Sequence, residues 1–328
     1  DGWTSSETWS QFVENLDNAL LSSVGNADKV DIYLKSDINL GGYSVLNGDT
    51  ACAMDDFTPL SFAGVGKSVE FHGNGYGING FCYIKEDEQS GQVSFFDGYY
   101  IRLIEKLKFD GAYVKLSGKG SAEMPLLASI VVASADNITL TQVQVEKSSL
   151  NISAPSGTNL VSVGGLVGYA VRVNEIEVTY SVADVEIVVE GEPNALFAGK
   201  LVGYVEGSSD AEKGGTFVVE GNISKGDLIV PDGYASMEKV YLGYVAGGLA
   251  YAPTVQIRSN YHLGKGDVDI KSALGVLKNS QGVDVTDWPA GNLNDYDVRY
   301  NYRNTAKNGS KSLKADGSLS KDGSGEIA

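Results

Sequence analysis

Gly164-Gly165-Leu166-Val167-Gly168-Tyr169-Ala170 carries a short pattern that the chain uses three times. Its centre (glycine, any residue, Leu or Val, Val or Ala, glycine) returns at Gly199-Lys200-Leu201-Val202-Gly203 and at Gly243-Tyr244-Val245-Ala246-Gly247, at spacings of 35 and 44 residues. An apolar pair flanked by glycines suits a narrow strand at a tight corner, where missing side chains let the chain bend and neighbouring backbones stack closely. Each copy is followed by a turn and then by strand-like residues: Ile176 to Val182, Phe217 to Val219, and Val255 to Ile257. One repeat therefore holds more than one strand. Such units bury a continuous core only by stacking on one another.

Outward from the motifs, the same rhythm holds. Val30, Ile32 and Leu34 alternate with polar residues, as do Ile138 and Leu140, Val143 and Val145, and Ile176, Val178, Tyr180 and Val182. Alternation places one set of side chains on one face of a strand. Ile130-Val131-Val132 and Ile187-Val188-Val189 are continuous instead, and turn-rich segments separate the runs. The chain has 41 glycines and only 7 prolines, so glycine punctuates strands and does not mark disorder. Helical spacing occurs near the start, where Trp9, Phe12, Val13, Leu16 and Leu20 form one stripe and Thr8 with Gln11 suits a capping box. That helix is placed to cover the exposed first coil of a stacked β array.

The heptapeptide at 164–170 and its relatives at 199–204 and 243–248 resemble the GLUG repeat of bacterial surface and adhesin-like proteins. The segment Phe57 to Phe81 is similar to the glycine-rich rung that precedes these repeats, with His72 where Asp is more usual. Phe95-Phe96-Asp97-Gly98 with Ile104 and Leu107 looks like the next rung, and Ser259-Asn260-Tyr261 resembles the usual ending of a repeat. The likeness covers residues from about 30 to 270. It implies a right-handed parallel β-helix on the bacterial cell surface and supplies no catalytic residues to transfer. The expected fold is thus all-β: a right-handed parallel β-helix, or solenoid, with an N-terminal capping helix. Residues 1–24 form the cap, 25–270 the β-helix, and 271–302 a C-terminal cap using Trp288, Tyr296, Tyr300 and Tyr302. Residues 303–328, which lack aromatics and are dominated by Gly, Ser, Lys and Asp, read as a flexible tail or linker.

Charge narrows the partners. With 25 basic and 42 acidic residues the net charge is −17, which repels nucleic-acid phosphates and anionic membrane surfaces. The acidity is spread along the chain and reads as solubility. No apolar run approaches the roughly 20 residues of a membrane span. An opening at Asp1 without a charged-then-apolar leader reads as a mature or trimmed product, and the expected location is extracellular or the cell surface. Cys52 and Cys82 either pair or stay as small buried hydrophobes.

Acid pairs, histidines and glycine loops are the places in this chain where chemistry could reside. Asp55-Asp56, Glu86-Asp87-Glu88 and Asp267 with Asp269 are the carboxylates available for a glycosidase-like pair, yet adjacent acids on turns are usually solvated and neighbours on a strand face opposite sides. The two histidines, His72 in a glycine-rich turn beside Tyr76 and His262 beside Tyr261, read as structural. Two isolated histidines and two isolated cysteines do not make a zinc site, so no metal ligand or cofactor is assigned. Structural calcium is the one ion left open, because solenoid turns supply oxygen ligands; Asp316 to Ser324 lacks the EF-hand spacing. Gly73-Asn74-Gly75-Tyr76-Gly77 has no Lys-Ser or Lys-Thr after it and reads as a turn and not a phosphate loop. Sequons at Asn137, Asn151, Asn222 and Asn308 read as chance.

The expected function is therefore non-catalytic: an adhesin-like binding or display protein whose partner is an extracellular glycan or a surface protein. The runner-up is a β-helical polysaccharide lyase or glycoside hydrolase using an acidic pair. Tyr169 and Tyr204, which follow the closing glycine of successive motifs, are the expected ligand-binding residues, because equivalent positions of successive coils lie above one another and tyrosine stacks on sugar faces. The competing reading of the same pair is a structural stack, since the third motif carries Gly248 at this place.

Overall fold

The computed structural model describes residues 9–23, 25, 28–88, 91–118, 125–207, 215–230, 234, 239–251, 254–263, 273–278, 296–299 and 301–303. One coil follows the path Ile138–Thr141, Gln144–Ala154, Val161–Gly164 and Val167–Val173. The next strand, Glu175–Thr179, then lies against the first, with Ile138 opposite Ile176 and Leu140 opposite Val178. Repetition of this path builds, among the described residues, a first sheet of eight strands, a second of eleven, a third of five and a fourth of six. Within these sheets the interior strands satisfy their backbones through parallel partners one coil above and one below, as in Leu140 between Ile104 and Val178. A hairpin of Tyr43–Leu46 with Asp49–Cys52 is antiparallel. The fold is a parallel β-solenoid with an N-terminal helix, as the glycine motifs and the alternation predict.

The core runs along the stack. On the first sheet Phe71, Ile104, Leu140, Val178, Val219 and Ile257 stand in register and are all buried. Burying each such side chain contributes about 1.5–3 kcal/mol relative to exposure. Leu166, Val167, Leu201, Val202, Val245 and Ala246 belong to the same core cluster, as their place in the motif requires.

The three glycine motifs form the corner between the third and fourth sheets. Val161–Gly164, Leu196–Gly199 and Val240–Gly243 enter it; Val167–Val173, Val202–Gly207 and Ala246–Ala250 leave it. The opening glycine is required by close approach and not by a positive φ. A Cβ on Gly199 would lie 1.8 Å from the Val202 carbonyl oxygen and 2.7 Å from the Ala246 Cα, so any side chain there would displace backbone. The free position of the motif points inward at Lys200 and Tyr244, both buried. The Lys200 Nζ donates to the backbone carbonyls of Val185 and Asp227. Burial pushes its pKa down to about 7, against the opposing pull of Asp227, Asp184 and Glu186.

The corner between the first and second sheets is built differently. Lys106, Gln142, Tyr180, Gly221 and Ser259 occupy it in successive coils with φ of 50°, 55°, 51°, 70° and 56°. The left-handed residue turns the chain so that the next side chain points inward. In the later coils that side chain is an asparagine: Asn222, Asn260 and Asn301 stack as a buried ladder. Asn222 donates through Nδ2 to Asn260 Oδ1 at 2.9 Å and to Val178 O, and Asn260 donates likewise to Asn301 Oδ1 at 2.9 Å and to Val219 O. Ser181 continues the column, its N–H donating to Asn222 Oδ1. A buried Asn222 has no access to glycosylation, so that sequon is structural.

The predicted helix spans Trp9–Ser23. Trp9 and Leu20 are buried, while Phe12, Val13 and Leu16 pack partly buried on the core. Trp9 stacks on Phe57 at 5.0 Å and meets the edge of Phe95 at 5.8 Å, and its indole N–H donates to Thr58 O. Cys52 and Cys82 are joined in a disulfide that ties the hairpin to the strand Cys82–Glu88. Parallel pairing continues past residue 270: Leu274–Leu277 adds to the fourth sheet and Tyr296–Arg299 to the first. Thr8 of the expected capping box, Trp288 and Tyr300 of the expected C-terminal cap, and the tail from 304 to 328 lie outside the described residues.

Candidate functional site

Tyr169 and Tyr204 are register partners on adjoining coils of the fourth sheet, and their rings stack at 5.8 Å with an interplanar angle of 26°. Gly248, the next position in this column, carries no ring of its own, but the column does not end there. Phe197 of the third sheet leans across, 4.3 Å from the Tyr204 ring. A Cβ on Gly248 would come within 2.8 Å of the Phe197 ring, so the glycine makes room for it. Phe197 in turn stacks on Tyr241, its partner in the next coil, at 4.9 Å. The four rings are half-buried and none belongs to the core cluster.

Phe197 and Tyr241 lie outside the glycine motifs, and the motif pattern alone does not single them out. The signal is positional: each stands two residues before the opening glycine of its motif, where the first motif has Ser162. Burial, with the nearby Glu206 charge, raises the Tyr204 phenol above its ordinary pKa; burial first and Glu206 second do the same for Tyr169. Both hydroxyls are therefore protonated donors at physiological pH, and Tyr204 Oη faces Glu206 Oε2 at 3.4 Å. The surface offers a strip of stacked, half-buried aromatic rings, hydroxyl donors and one carboxylate.

A second cluster lies on the first sheet. His72 ends the strand Ser68–His72, between Lys29–Tyr33 and Ile101–Glu105. The register sets Tyr33, His72 and Glu105 side by side, with Asp31 opposite Glu70 two residues earlier on the same face. His72 Nδ1 lies 2.9 Å from Glu105 Oε1, and Nε2 lies 3.2 Å from Asp31 Oδ1 and 4.0 Å from Glu70 Oε2. Burial alone would lower the imidazole pKa; hydrogen bonds and charge from Glu105 and Asp31 outweigh it and raise the value. His72 is thus a strand residue stacked on Tyr33 at 4.5 Å, and not a turn residue beside Tyr76.

The other candidates disperse. Asp56 accepts from the N–H and hydroxyl of Ser10 at the first turn of the helix, so it caps that helix from outside, and Asp55 is exposed. Glu86 pairs with Lys115. His262 is buried, its Nδ1 2.9 Å from Ser224 Oγ. Asp267, Asp269, Asn308 and Asp316 to Ser324 lie outside the described residues.

These features define a parallel β-solenoid with a helix at its N-terminal end. No protein-family model matches the chain, and no curated protein sequence does. Among solved structures it is similar to the "putative immunoglobulin A1 protease" of Bacteroides ovatus, at 13% identity and a TM-score of 0.38, over 96% of this chain and 92% of that one.

Proposed function

We propose that this chain is an adhesin-like binding or display protein of the cell surface or extracellular space, and that it holds carbohydrate on the ladder of Tyr169, Tyr204, Phe197 and Tyr241. The ladder carries the reading: four half-exposed rings stacked across adjoining coils form a continuous aromatic strip on the surface, bordered by tyrosine hydroxyls and the Glu206 carboxylate, the mixture of apolar area and hydrogen-bonding groups that sugars use. The Cys52–Cys82 bridge fits an oxidising compartment. The three glycine motifs resemble GLUG repeats of bacterial surface proteins, and among the described residues no helix is long and apolar enough to cross a membrane. The ligand is bound and released unchanged.

A glycan array followed by calorimetric titration of the best ligand tests this. Tyr169→Ala and Tyr241→Ala, at the two ends of the ladder, are each expected to weaken binding about 5- to 10-fold, the loss of one stacking contact, with little change in melting temperature. Reduced stability with unchanged binding would make the rings scaffold. Reducing-end or unsaturated products released from the bound glycan would favour a polysaccharide-degrading enzyme instead.

A further inference from the structure

We propose that Asp31, Glu70 and His72 form a binding site for a divalent transition metal of the zinc type, with Glu105 orienting the histidine. The ligand atoms are already gathered: one oxygen from each carboxylate and one imidazole nitrogen lie within 4.8 Å of one another. Bonds of about 2.0–2.2 Å in tetrahedral array place neighbouring ligand atoms roughly 3.3–3.6 Å apart. The Nε2 separations of 3.2 Å from Asp31 and 4.0 Å from Glu70 are close to that spacing before any ion draws them in.

The second argument is the far side of the ring. Metal-bound histidines donate their other N–H to a carboxylate or carbonyl, which fixes the tautomer and the ring plane. Here Glu105 Oε1 takes that part, 2.9 Å from Nδ1, and Tyr33 stacks on the ring face. With the proton on Nδ1, the Nε2 lone pair points at two carboxylates. A cation among these groups offsets their mutual repulsion, a part that Lys29 and the protonated imidazole can also play and that a metal ion would take over.

A cation does reach the place. Lys29 Nζ sits 2.8 Å from Glu70 Oε2 and 3.5 Å from Asp31 Oδ1. Its side chain is about half exposed, so it can swing into solvent and yield to an ion of higher charge. Lys106, 3.9 Å from Glu105 Oε1, is the other basic group beside the cluster. An imidazole among the ligands favours zinc, copper or nickel over calcium and magnesium. Glu70 stands two residues before His72 on the same strand, but a lone Glu-x-His pair assigns no metal site; Asp31 and Glu105, 41 residues before His72 and 33 after it, join them only through the register of the first three coils.

The test titrates zinc chloride into the tag-free, EDTA-treated chain at pH 7.5 and pH 5.5 by calorimetry. One zinc per chain is expected, weaker at the lower pH because protons compete for the ligands, and unaffected by a tenfold excess of magnesium or calcium. His72→Gln should abolish this binding, Glu105→Gln weaken it about 10- to 100-fold, and Lys29→Met strengthen it. Zinc should raise the unfolding midpoint of the unaltered chain and leave that of His72→Gln unchanged. Absence of binding to the unaltered chain, or undiminished binding in His72→Gln, would overturn the assignment. Lys29→Met, a change on an exposed side chain, serves as the check that does not depend on removing a ligand.

Discussion

Lys200 shows what one side chain can do to the molecule's response to pH. A lysine in the unfolded chain titrates near pH 10.4, and burial brings the folded value to about 7. Between these two the unfolded state binds more protons, so the contribution of Lys200 to stability rises with pH across that window, and its burden is full below about pH 7. His72 runs the other way: with its folded pKa raised above the ordinary value of about 6.5, it stabilises below that value and the gain is lost as pH rises through the folded pKa. Lys200→Met keeps the stem and removes the amine. It should raise stability at pH 7 by on the order of a few kcal/mol, the gap narrowing by pH 10, as read from urea unfolding across pH. Equal stability at pH 7 would mean that the Val185 and Asp227 carbonyls compensate fully. From sequence, Lys200 is only the free position of a glycine motif. Nothing in its neighbours says that the position faces inward, because that depends on which way the corner turns.

At the scale of elements, the asparagine column does for the second half of the solenoid what apolar packing does elsewhere, since it fixes the height of one coil on the next. Asn260 holds both neighbours, accepting from Asn222 and donating to Asn301. Replacing it by alanine leaves several buried polar groups without partners, at about 1–3 kcal/mol each. Asn260→Ala is therefore expected to lower unfolding free energy by roughly 3 kcal/mol or more, whereas alanine at the half-exposed Asn151 should be near neutral; chemical denaturation compares them. The helix Trp9–Ser23 was legible because its stripe is local, five apolar residues at helical spacing. The strands were legible from alternation. The ladder was half legible: Asn260 stands out as the end of a repeat, but 222, 260 and 301 align only once the intervening coils are known to hold 38 and 41 residues.

At the scale of the whole molecule, the disulfide closes a loop of 30 residues at the N-terminal end. Loop-closure entropy for that length amounts to about 3–4 kcal/mol, most of it exerted on the unfolded chain. Cys52→Ser with Cys82→Ser is expected to lower stability by about that amount and to shift the urea midpoint downward, while the circular dichroism of the folded chain stays β-rich. A variant as stable as the parent would show that the cap helix and the aromatic cluster around Trp9 already hold this end. Fold was readable from sequence because it rests on repeating, short-range patterns. The aromatic ladder and the His72 cluster were readable only in part, because each is assembled across coils whose lengths differ. From Phe71 to Ile104 is 33 residues, from Ile104 to Leu140 is 36, and from Val178 to Val219 is 41.

That inequality of coil length at constant register makes the molecule a ruler graduated in turns. Extra residues bulge sideways from a corner and add nothing to height, whereas one more complete turn raises everything beyond it by about 4.8 Å. The height at which the aromatic ladder stands above the N-terminal helix is thereby an integer quantity, adjustable by duplicating or deleting turns and indifferent to drift in the loops between them.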